Sequence, residues 1–129
     1  MNKILLSGTM LGLLSILMAA YVDHALSLML TGKALHSVLV AIKYHQLYAI
    51  MITIIGLIIP LQANQRIKSW LMRSAYVFIV GVLLFSFSIY LSSMTGILEL
   101  LHLAPIGGVI LMTGWVCLIR IALLNNSKK

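Results

Sequence analysis

Charge is what this sequence has least of. Asp23 and Glu99 are its only acids, and Lys and Arg add nine more charges among 129 residues. That is 9% charged residues, against roughly 25% in soluble domains. Cysteine is nearly absent too. Cys117 stands alone, which excludes an intrachain disulfide, and no Cys/His zinc spacing exists. No HExxH-type spacing fixes a metal-ligand geometry either. Linkers, low-complexity tracts and a second domain are missing as well.

What fills the chain is apolar. Hydrophobic residues make up 62% of it, and residues 4–22, 44–61, 74–98 and 103–119 contain no Asp, Glu, Lys or Arg. A helix rises about 1.5 Å per residue, so about 20 such residues cross a hydrocarbon core roughly 30 Å thick. A water-soluble fold of this size could not hide so much apolar surface. The expected fold is all-α: a polytopic membrane protein built as a four-transmembrane-helix bundle. Its spans fall at about 4–22, 44–61, 74–96 and 103–121 in a single domain over residues 1–129.

The N-terminus has two readings. Met1-Asn2-Lys3 followed by an apolar stretch ending Leu17-Met18-Ala19-Ala20 resembles a signal peptide. The run is longer than the ~7–15 residues of a signal-peptide core, so a retained first span is expected. Gly8 and Gly12, extended by Ser15 and Ala19, would form a small-residue stripe for helix packing.

The gaps set an orientation. Lys3, the group Arg66, Lys68 and Arg73, and the group Arg120, Lys128 and Lys129 share one side of a four-span chain. Only Lys33 and Lys43 lie on the other. By the positive-inside rule both termini are cytoplasmic, and this explains the net charge of +7 without nucleic acid. Tyr21, Tyr44, Tyr48 and Tyr90 then lie toward the outer ends, and Trp70, Tyr76 and Trp115 toward the inner ones. In the first connection Leu35, Val38, Leu39 and Ile42 repeat at helical spacing. Residues 34–43 thus read as an amphipathic helix at the outer interface, or as an outward extension of the second span, after a break at Thr31-Gly32-Lys33. Residues 62–73 read as a short polar connection after Pro60, and those around 95–102 as a tight hairpin.

This topology gathers the potentially reactive groups on one rim: Asp23, His24, His45, Tyr90, Glu99 and His102. Imidazole and carboxylate can bind a metal or pass protons. Span ends are also where hydrated polar side chains ordinarily sit, and that plain reading is preferred. Ser86 and Ser88 read as hydrogen-bonding glue between helices. Pro105 opens the fourth span, and Gly107, Gly108 and Gly114 favour close packing of that helix.

Phe85-Ser86-Phe87-Ser88-Ile89-Tyr90-Leu91, Ala104-Pro105-Ile106-Gly107-Gly108-Val109 and Gly114-Trp115 resemble blocks of the YgdD-like family of small bacterial inner-membrane proteins. Asp23-His24-Ala25-Leu26 and Tyr44-His45-Gln46-Leu47-Tyr48-Ala49 are similar to its segments after the first span and at the start of the second. The resemblance implies four spans, a cell inner membrane and no established reaction. Phe87 stands where the family pattern has glycine, and Tyr48 where it has histidine. His24, Ser86, Ser88, Tyr90, Pro105, Gly107, Gly108 and Trp115 match position by position.

The functional expectation is a non-enzymatic bundle without cofactor or metal. It would sit in the lipid bilayer and act by packing, by homo-oligomerisation or through a membrane-protein partner. The alternative is a small transporter or proton/ion-coupled protein using the outer residues. Its weakness is that no charged residue lies deep in any span. A metal-dependent membrane enzyme ranks last.

Overall fold

The computed structural model describes residues 1–126, so Lys128 and Lys129 lie outside the described residues. Four helices are long and apolar enough to cross a membrane: α1 (Lys3–Met29), α2 (Gly32–Leu61), α3 (Gln65–Thr95) and α4 (Leu98–Leu124). Consecutive helices run in opposite directions. One end of the bundle therefore carries the chain start, the α2–α3 connection and the close of α4; the other carries the two remaining connections.

The helices extend past the apolar runs because charged side chains end a hydrocarbon span without ending a helix. Residues 32–58 form one unbroken α-helix through Lys33 and Lys43, so residues 34–43 continue the second span. The break before it is Leu30-Thr31, and Gly32 takes up a left-handed φ of 56° there. The polar connection between α2 and α3 shrinks to residues 62–64. Asn64 caps α3, its side chain accepting hydrogen bonds from the N–H groups of Arg66 and Ile67, so Arg66, Lys68 and Arg73 sit on helix. Gly96, at φ 75°, closes α3 and turns the chain into the 3₁₀ turn Leu98–His102 that begins α4.

Two antiparallel helix pairs, α1 with α2 and α3 with α4, are joined through α2 and α3. Glycine sets the close approach within each pair. A Cβ on Gly8 would meet Thr53 of α2 at 2.6 Å, and one on Gly56 would meet the Leu5 backbone at 2.7 Å. In the second pair Gly107 abuts Phe85 and the Gly81 carbonyl, and Gly114 abuts the Phe78 ring. Ser74 adds a hydrogen bond to the Gly114 carbonyl at 3.0 Å. Three residues expected to pack do less. Gly12 faces open space, Gly108 has only the Phe85 ring at 3.9 Å, and Pro105 is exposed in the first α-helical turn of α4.

Two buried clusters follow, one around Ile52, Phe78 and Leu111 and one around Val22, Val38 and Ile89. The outward faces are apolar as well: Leu13, Ile16, Met112 and Val116 are all more than half exposed, a surface that suits hydrocarbon and not water.

Candidate functional site

The buried stripe of α2 contains a histidine. Val38, Ala41, Ile42, His45, Tyr48, Ala49 and Ile52 follow helical spacing and turn inward together. Because α2 begins at Gly32, His45 lies near its middle, about 20 Å along the axis. It is 0% exposed. Expected at the hydrated rim, His45 is instead an interior residue, and Tyr90, expected there with it, is 3% exposed.

The two meet. His45 Nδ1 and the Tyr90 hydroxyl share a hydrogen bond of 3.2 Å. His45 Nε2 is buried and has no hydrogen-bond partner. Aromatic rings surround the imidazole: Phe87 packs at 5.1 Å between centroids and Tyr90 at 5.9 Å, while Phe87 and Tyr90 pack on each other at 5.6 Å.

A distortion of α3 supplies this wall. Leu83–Phe87 is a π-helical turn, wider than the α-helix by one residue. Within it Ser86 Oγ donates to the Ala41 carbonyl at 2.9 Å, tying α3 to α2 one turn from His45. Ser88 instead bonds its own helix, donating to the Phe85 carbonyl. Phe87 covers the histidine on that side. Tyr48, one turn further along α2, accepts a hydrogen bond from Trp115 Nε1 at 2.9 Å.

The other rim candidates do not join this pair. Asp23 and His24 are exposed in a second π-helical turn, Val22–Leu26. Glu99 and His102 are exposed in the 3₁₀ turn, where His102 Nδ1 donates to the Glu99 backbone carbonyl at 3.0 Å. Among the described residues no group of three or more His, Cys, Asp or Glu is placed to hold a metal ion.

The arrangement permits proton chemistry at one atom. If the Tyr90 O–H donates to Nδ1, Nε2 carries an N–H without an acceptor. If Nδ1 carries the proton and donates to Tyr90, Nε2 is a lone pair without a donor. In the second state Nε2 can take a proton, and the imidazolium so formed can release it again. A groove of about 300 Å³ lies between α1 and α2 beside this level, walled by Gly12, Ser15, Gln46 and Ala49 among others. It is open because Gly12 has no side chain to fill it.

Residues 18–108 match the family described as "Protein of unknown function (DUF423)". The chain is similar to a "UPF0382 membrane protein" of Haemophilus influenzae, 28% identical over 121 residues, covering 91% of this chain and 90% of that one. A UPF0382 membrane protein of Staphylococcus haemolyticus is also 28% identical, over 120 residues that cover 92% and 93% of the two chains. No solved structure matches. With four apolar helices, these similarities make the chain a multi-pass membrane protein of an uncharacterised family.

Proposed function

The chain belongs to the DUF423 family, whose description assigns no function, and we propose that it is a non-enzymatic, proton-coupled membrane bundle whose working group is the His45 imidazole. The observation that carries this reading is His45 itself: wholly buried near the middle of α2, with one ring nitrogen on Tyr90 and the other unpartnered. Ionisable side chains inside membrane segments are costly to keep and mark proton or ion pathways more often than scaffolding. The sequence-based objection to a coupled protein, that no charged residue lies deep in any span, is weakened by His45, an ionisable side chain near the middle of α2.

A second proton on the ring puts a full charge among Phe87, Tyr90 and apolar helix faces. Burying an unpaired charge costs several kcal/mol, so the bundle relieves it by admitting water or an ion, or by shifting a helix. The groove at Gly12 and Ser15 makes α1 the helix to move. The excess of Lys and Arg at the end carrying the chain start supports a bacterial inner membrane with both termini in the cytoplasm. Gly12 also favours a second reading, in which the open face of α1 seats another copy or a membrane-protein partner.

The test places spin labels at Leu17 on α1 and Leu91 on α3, both lipid-exposed, in a Cys117→Ser background of the full chain in nanodiscs. Lowering the pH across the histidine range, from about 8 to about 5, is expected to change their separation, and His45→Gln to abolish that change. A separation that ignores pH, or a change that survives His45→Gln, overturns the reading.

A further inference from the structure

A second cavity, of about 470 Å³, lies between the first turn of α2 and the far end of α3, and neither His45 nor Tyr90 is in its wall. We propose that this cavity seats the anionic headgroup of a bilayer phospholipid, with Lys33 supplying the charge and the hydroxyls of Ser92 and Ser93 the hydrogen bonds.

The hydroxyls carry the argument. Serine and threonine inside helices ordinarily bond a carbonyl one turn back. Ser7, Ser27, Ser37, Thr53 and Thr95 all do so here. Ser92 and Ser93 do not, and neither hydroxyl has a partner among the described residues. Ser92 is only 4% exposed, yet it lines the cavity. The Ser92 hydroxyl is reached from the cavity and has no protein partner among the described residues, so it is available to donate to a ligand oxygen there.

The charge of the wall selects the ligand. Lys33 is its one charged residue and forms no ion pair among the described residues. It stands in the first turn of α2, where Thr31 offers no side-chain cap, so the backbone N–H groups of that turn add to the positive field. No acid lines the cavity to receive the ammonium of a zwitterionic headgroup. The rest of the wall includes Leu30, Leu98 and Leu101, and the last two are exposed on the apolar surface of the bundle. Acyl chains gain from that apolar approach, whereas a free inorganic anion gains nothing.

The experiment places the full chain in nanodiscs of equal phosphatidylglycerol and phosphatidylethanolamine and identifies retained lipid by native mass spectrometry. Phosphatidylglycerol should be enriched on the wild-type protein. Lys33→Gln should reduce that enrichment about fivefold, the effect of one lysine beside an anionic lipid, and Lys33→Arg should keep it. Ser92→Val should reduce it about threefold, the effect of one hydrogen bond. Lys68→Gln, at the opposite end of the bundle, should leave it unchanged. An unaltered melting temperature certifies Lys33→Gln as folded, so the proposal does not depend on the Ser92 variant. Equal enrichment in wild type and Lys33→Gln overturns the proposal. So does an equal loss with Lys68→Gln, or displacement of the lipid by inorganic phosphate.

Discussion

Trp115 Nε1 donates to the Tyr48 hydroxyl across 2.9 Å, linking α4 to α2, two helices that pack mainly against other partners. Phe78 of α3 fills the space between them, 5.0 Å from the Tyr48 ring and 5.9 Å from the Trp115 ring. Hydrogen bonds between membrane helices contribute about 0.6 kcal/mol on average and up to about 1.7. Tyr48→Phe should therefore lower unfolding stability in detergent by an amount in that range. In a double-mutant cycle with Trp115→Phe the two losses should not add, because either substitution removes the same bond. Strict additivity would mean that the indole and the hydroxyl act separately.

The glycines divide by what faces them. A Cβ at Gly56 or Gly107 runs into the backbone of the neighbouring helix, whereas one at Gly12 meets nothing within 4 Å. Gly56→Ala and Gly107→Ala should each destabilise the bundle by about 1–3 kcal/mol through overpacking. Gly12→Ala should stay within about 0.5 kcal/mol of wild type. Thermal or denaturant unfolding of the three variants in one detergent measures the contrast. A uniform response would show that glycine acts here through helix propensity and not through contact.

The number of spans is legible in the sequence because excluding charge from hydrocarbon is a rule of composition, visible without knowing any contact. The ends of the helices are not, since Lys43 can stay on α2 by carrying its ammonium to the surface along its aliphatic stem. That difference decides the site. Starting the second span at Tyr44 puts His45 in a first turn at the rim. The stripe of Leu35, Val38 and Ile42, continued by three residues, reaches His45 and puts it inside. The role of Phe87 is less accessible, because it depends on the π-helical turn Leu83–Phe87, for which the sequence carries no local signal. Ser86 is legible as an interhelical hydrogen bonder, but its acceptor, the Ala41 carbonyl, requires the register of two helices.

The His45–Tyr90 hydrogen bond makes an asymmetric prediction. Tyr90→Phe removes the hydroxyl and leaves both ring nitrogens of a buried histidine without a hydrogen-bond partner. Stranding a buried polar group costs about 1–3 kcal/mol, and replacing both partners with apolar groups costs much less. The double variant His45→Leu with Tyr90→Phe should therefore be more stable than Tyr90→Phe alone, though deaf to pH in the spin-label experiment. If the double variant is the less stable of the two, the pair is held by packing rather than by its polar contact.

The rim residues supply the opposing control. Asp23, His24, Glu99 and His102 are exposed, and among the described residues the one hydrogen bond their side chains make is from His102 to a backbone carbonyl. Charges in water interact weakly and are screened over about 8–10 Å, so removing one of these side chains does little to the helix packing. Asp23→Asn, His24→Ala, Glu99→Ala and His102→Ala should each leave unfolding stability within about 0.5 kcal/mol. Each should also preserve the pH-driven change in α1–α3 separation that His45→Gln removes. A response lost with His24→Ala or Glu99→Ala and kept with His45→Gln would move the working site out of the bundle to its rim. The lone pair or N–H at His45 Nε2 would then be a structural tolerance of the fold, not its proton carrier.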